Sequence, residues 1–152
     1  MIQQLMDEHR VIEQMLTALE TRINALETAG EFPAAFLTEA LDFFRDFADT
    51  RHHHKEEDLL FPAMIAAGLP SPGGPVDCML HEHETGRAYL AAIRANLPAA
   101  AEGDPAARDL IRSRATAYID MLRHHIYKED NVLFPMAQRL LGADALEAAS
   151  AR

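Results

Sequence analysis

The stretch HHHKEEDLLFP at residues 52–62 returns 73 residues later as HIYKEDNVLFP at 125–135. In register, His125 falls on His52, Lys128 on Lys55, Glu129 on Glu56, Leu133 on Leu60, and Phe134-Pro135 on Phe61-Pro62. A weaker match sets LMDEHR (5–10) against MLHEHE (79–84), so that His83 falls on His9 at an offset of 74. Self-similarity of this kind makes each half one supersecondary unit. Each unit reads as a helix with one histidine, followed by a helix with His-x-x-x-Glu.

The helices themselves are legible from apolar spacing. Leu5, His9, Ile12, Leu16, Leu19, Ile23 and Leu26 recur at steps of three or four, one buried stripe of a helix from Ile2 to about Thr28. Gly30 and Pro33 are its stop and the next start. From Pro33 the pattern Phe36, Ala40, Phe43, Phe44, Phe47, Ala48 runs into the histidine cluster, and Gly68 with LPSPGGP closes that second helix. A third helix is expected from Val76 to about Leu97. PAAAEGDPAA is read as the following connection, with Asp104 as N-cap and Pro105 in the first helical position. The fourth runs to near Leu141, with Gly142 as its stop. Period-two alternation and hairpin turns are absent. The fold class expected is all-α, an antiparallel up-down four-helix bundle with a pseudo-twofold internal repeat. It occupies 1–152 as a single domain, with repeat halves of about 1–70 and 76–142.

A chain of 152 residues, 49% of them hydrophobic, can bury a core without staples. Its formal charge of −10 disfavours nucleic acid and anionic membrane as main partners. The single cysteine, Cys78, excludes an intramolecular disulfide, fits a reducing compartment and is read as an ordinary buried residue. The first ten residues, MIQQLMDEHR, lack the basic and apolar regions of a signal peptide, and no apolar run reaches the roughly 20 residues of a membrane span. A cytoplasmic location is the expectation.

Residues four apart stack on one helix face, so His52 with Glu56 and His125 with Glu129 can grip one ion together. Two such helices facing one another, with His9 and His83 from the other two, would converge four imidazoles and two carboxylates at the bundle centre. That donor set suits Fe, Mn or Zn, and two bridging carboxylates favour a pair of ions. Six protein ligands leave two octahedral shells unfilled, with positions for oxo or hydroxo bridges, water, and a small ligand such as O2, NO or peroxide.

Adjacent helical residues point about 100° apart, so His53, His54, His81 and His124 are expected to pack behind ligands or face solvent. His53 is the rival: a slight rotation would pair it with Glu57. The second half offers Ile126 and Asp130 at those positions, and isoleucine cannot ligate. Phe61-Pro62 and Phe134-Pro135 are expected to kink their helices by freeing the carbonyls of Asp58 and Asn131, with each phenylalanine shielding the site from water. Tyr89, Tyr118 and Tyr127 are read as core residues. Glu8, Glu57, Glu82 and Asp130 adjoin the ligands in sequence, and any of them could receive an imidazole N–H.

These motifs together resemble the hemerythrin-like, HHE cation-binding family over essentially the whole chain. The resemblance rests on His9 in EH, H-x-x-x-E-x-x-x-L-F-P, His83 in HEHETGR, and H-x-x-x-E-D-N-V-L-F-P. It implies a non-heme di-iron centre, oxo- or hydroxo-bridged, with His9, His52, Glu56, His83, His125 and Glu129 as metal ligands. Oxygen-carrying hemerythrins place two histidines four apart on the third helix, where this chain has Met79 and Arg87 flanking His83. The pattern is more similar to the four-His, two-Glu sites of iron–sulfur repair and iron- or NO-sensing relatives. Three functions follow as expectations: a module that binds or senses O2, NO or iron; an oxidoreductase consuming peroxide or NO, or an iron donor for cluster repair; and a metal-stabilised structural bundle. The residues leave open whether there is turnover, and they indicate no protein partner.

Overall fold

The computed structural model describes the backbone of residues 1–26 and 31–150, and side chains as far as Gly142. Four long helices account for it: α1 (Ile2–Asn24), α2 (residues 34–66), α3 (Pro75–Ala101) and α4 (residues 105–150). No strand occurs among the described residues. The stripe read from the sequence is the face α1 buries: Ile2, Leu5, His9, Ile12, Leu16, Leu19 and Ile23. The stop expected at Gly30 lies outside the described residues.

The chain alternates in direction. Ile2 and Leu5 near the start of α1 share one apolar cluster with Leu60, Phe61 and Met64 near the end of α2. Val76 and Met79 at the start of α3, and Leu133 and Phe134 late in α4, complete that cluster. At the opposite end, Ile23, Leu37, Leu97, Ala100 and Ala107 belong to a second, larger cluster. Four helices whose starts and ends meet in this alternating way form the up-down bundle the short connections imply.

Starts and stops follow from local chemistry. Asp104 Oδ1 accepts from the backbone N–H of Ala106 (2.9 Å) and Ala107, capping α4 just before Pro105. Asp77 Oδ2 accepts from Gly74 N–H at 3.0 Å at the start of α3. Gly68 (φ 105°) ends α2, and Gly142 (φ 70°) breaks α4 where its stop is expected. The third helix corrects one expectation. It continues through Pro98 to Ala101, because burying Leu97 and Ala100 holds the last turn despite the hydrogen bond that proline forfeits.

The two LFP steps also differ from expectation. Each is preceded by a π-helical turn, Glu56–Leu60 and Glu129–Leu133. Phe61 N–H bonds the carbonyl of Glu56, and Phe134 N–H that of Glu129, five residues back. The missing N–H of the following proline thus falls at a widened turn. The first half carries an additional π segment, Phe44–His53, whereas α4 up to Lys128 is plain α-helix.

Between the two apolar clusters lies a polar layer. His9 sits between Leu5 and Ile12 on the α1 stripe, and Glu129 between Ile126 and Leu133. Every residue of that layer comes from the histidine and glutamate positions of the repeat or from beside them.

Candidate metal centre

The fold brings all six predicted positions into one buried layer: His9, His52, His83, His125, Glu56 and Glu129 are each no more than 2% exposed. His53 joins them at 7%. His54, His81 and His124 are exposed, and His54 pairs with Asp58 on the surface. Among the described residues, donors from His9, His52, Glu56 and Glu129 lie within 4.8 Å of one another, and so do those of His53, Glu56, His83 and His125. Glu56 belongs to both groups.

The carboxylates sit where they could bridge. Glu56 Oε1 is 3.4 Å from His52 Nε2, and its Oε2 is 3.5 Å from His83 Nε2. Glu129 Oε2 is 3.3 Å from His9 Nε2 and 3.2 Å from His125 Nε2. Metal–imidazole bonds of about 2.0–2.1 Å, meeting near a right angle, would hold neighbouring donor atoms about 3 Å apart. The observed spacings are close to that.

Each of the four predicted histidines donates its other N–H outward. His52 Nδ1 donates to Glu8 Oε2 (3.0 Å), His125 Nδ1 to Glu82 Oε2 (2.8 Å), His83 Nδ1 to Glu57 Oε1 (2.7 Å), and His9 Nδ1 to Asp130 Oδ1 (2.7 Å). Each of these four acids adjoins a predicted ligand in sequence, and each reaches a histidine on another helix. Such bonds orient the imidazoles and turn Nε2 toward the core. Sequence reasoning missed the cations behind them: Lys55 binds Glu8, Lys128 binds Glu82, and Arg10 binds Asp130. Lys55 and Lys128 occupy matching positions of the repeat, which was the available signal.

Electrostatics follow from these contacts. Burial would raise the Glu8 carboxyl, but His52 and Lys55 hold it down to about 2. Burial likewise opposes ionisation of Glu129, yet His125 and His9 keep it well below the usual carboxylate range. His83 and His125 face each other, Nε2 to Nε2, at 3.1 Å, so only one of them can take a proton. Burial, with His53 and His125 beside it, pushes His83 far down. Burial also opposes charge on His125, but Glu129 carries it up to about 10.

The fit to a metal is tested by what is left unpaired. Among the described residues, His9 Nε2 and both oxygens of Glu56 and Glu129 are buried without a hydrogen-bond partner. Five such atoms in one layer would cost about 1–3 kcal/mol each. A cation bound among them removes that penalty, so the residues fit. Aromatic rings close the layer: Phe134 stacks on His9 at 5.5 Å, and Phe61 on His83 at 6.0 Å. Beside His83 and His125 a cavity of about 10 Å³, counted for the centre of a water-sized molecule, is lined by Phe44, Gly86, Leu90 and Tyr118. A side chain at Gly86 would meet Met121 at 3.1 Å and Tyr118 at 3.3 Å, which explains glycine there.

Other expectations are settled by burial. Tyr118 is buried against Phe44, its ring edge-on at 5.0 Å, whereas Tyr127 is exposed. Cys78 is exposed rather than buried, because the inward stripe of α3 runs through Val76, Met79 and His83 and passes it by. No helix among the described residues is long and apolar enough to cross a membrane.

Comparison with known proteins agrees with the geometry. The chain is 32% identical over 139 residues to the uncharacterized protein Rv1995 of Mycobacterium tuberculosis, covering 91% of this chain and 54% of that protein. It is 36% identical over 106 residues to the iron-sulfur cluster repair protein YtfE of Dickeya chrysanthemi, 68% of this chain and 47% of that one. The chain therefore spans about half the length of the curated relatives it matches. No solved structure matches it significantly. The profile of the hemerythrin HHE cation-binding domain matches residues 1–137, and the chain belongs to that family.

Proposed function

We propose that this is a non-heme di-iron protein in which His9, His52, Glu56, His83, His125 and Glu129 hold two iron ions, and that it binds or senses O2 or NO. The observation that carries this reading is the inward set of Nε2 and carboxylate atoms, five of them buried without a partner. The mixed imidazole and carboxylate set suits iron, with manganese or zinc the competitors. Iron there would supply binding of small diatomic molecules and one-electron redox chemistry.

The protein's own part is to orient and exclude. Glu8, Glu57, Glu82 and Asp130 fix the imidazoles, Phe61 and Phe134 keep bulk water off the layer, and the small cavity admits a ligand of water size. A second reading, an iron donor for cluster repair, draws on the match to the repair protein of Dickeya chrysanthemi.

Metal content with the absorption spectrum tests the centre, and two irons per chain are expected. Anaerobic addition of O2, NO or H2O2 to the ferrous protein then separates the functions. A stable reversible adduct supports binding or sensing. Catalytic consumption supports an oxidoreductase, transfer of iron to a cluster-depleted protein supports donation, and none of these leaves a metal-stabilised bundle.

A further inference from the structure

His53 lies in the polar layer although its repeat partner is an isoleucine, and like the four predicted ligands it is buried with a carboxylate on its Nδ1, here from its own helix. Its Nδ1 donates to Asp49 Oδ1 at 3.3 Å, the same outward bond to a carboxylate. Its ring stacks on His83 at 3.7 Å, and one of its nitrogens lies within 4.8 Å of donors from Glu56, His83 and His125. Two consecutive residues, His52 and His53, are both buried where the π segment Phe44–His53 ends.

Arg87 locks this arrangement from behind. Its Nε donates to Asp49 Oδ1 at 2.9 Å and its Nη2 to Glu57 Oε1 at 2.7 Å, tying the carboxylate behind His53 to the one behind His83. Arg87 stands four residues after His83, so α3 has no second histidine to offer on that side.

We propose that His53 is a fifth histidine ligand, given to the ion held by His83 and His125. The two ions are then unlike: one has His53, His83 and His125, the other His9 and His52, with Glu56 and Glu129 between them. This rests on the di-iron reading and assigns the centre an asymmetry that its repeat does not have.

Mössbauer spectroscopy of the 57Fe-loaded full chain tests it, alongside iron content. Two quadrupole doublets of equal area are expected for the unaltered protein. In His53→Gln, one doublet should shift while the other stays, and at least the iron of the His9 and His52 side should be retained. Asp49→Asn keeps the imidazole but alters its N–H partner, and should move the same doublet by less; this variant decides the matter if His53→Gln does not fold. Doublets unchanged in the variant measured would overturn the inference and leave His53 as packing against His83, with the di-iron reading intact. An unaltered protein that takes up no iron would overturn the di-iron reading, and this inference with it.

Discussion

The two halves of the molecule are alike behind the polar layer and unlike within it. His52 leans on Glu8, itself bound by Lys55; His125 leans on Glu82, itself bound by Lys128. His9 is held by Asp130 with Arg10, and His83 by Glu57 with Arg87. Even the aromatic covers cross over, Phe134 to His9 and Phe61 to His83. At one position the match fails: His53 is in the layer, while Ile126 is buried in the larger apolar cluster. The two positions differ in what surrounds them: His53 stacks on His83 at 3.7 Å, whereas Ile126 packs among apolar side chains. The difference teaches that a repeated motif can carry a polar or an apolar neighbour into the core, according to what the facing helices present.

The largest effect should come from removing what the halves share. Glu129→Ala and His52→Ala are each expected to lose most of the bound iron, measured by elemental analysis of the purified protein. Full iron content in Glu129→Ala would dissolve the comparison, because it would take Glu129 out of the site. Next in size, Glu8→Gln and Glu82→Gln should each weaken metal binding by about 10–100-fold, the usual cost of losing a carboxylate behind a ligating histidine. Competition with a chelator reads this directly, and similar losses in both would show the halves to be equivalent at that level.

Ile126→His tests the unlike position. Because Ile126 packs among apolar side chains, the new imidazole should lack a partner and cost about 1–3 kcal/mol, the penalty of a buried polar group left unpaired. Denaturant unfolding measures it, and a rise in metal affinity instead would show that position 126 reaches the polar layer as His53 does.

The smallest effect lies at the helix starts, where the second half is capped by Asp77 and Asp104 and the first uses no side-chain cap. Asp104→Ala should cost about 1 kcal/mol. The Asp77 carboxyl is held below its ordinary range by the Gly74 N–H and the Ser71 hydroxyl. Its contribution is therefore present above the unfolded carboxylate's pKa and lost as pH falls below about 4. Asp77→Asn should remove that pH-dependent part from a melting series, leaving a flatter acid limb.

Much of this was readable from spacing. The α1 stripe from Leu5 to Ile23, the Asp104 cap and the break at Gly142 depend on neighbours within a turn or two, so short-range rules reach them. The six repeat positions were readable because two copies of a pattern cancel chance. The end of α3 was not, since Leu97 and Ala100 hold the turn around Pro98 only by packing against other helices. Cys78 was misplaced for the related reason that burial of a small residue depends on which way its helix faces.

By itself, then, the sequence determined four amphipathic helices, their order, and a set of donors that one bundle could gather. Periodicity and turn chemistry are local, and they suffice for that. The tertiary structure decided the partners: which carboxylate receives which imidazole across 26 to 121 residues of chain, and how Arg87 joins Asp49 to Glu57. It also decided the fate of His53. A rotation of about 100° per residue separates it from His52, yet stacking on His83 across the helix interface buries it in the same layer, because periodicity sets only the angle between neighbours and packing decides which of them the core covers.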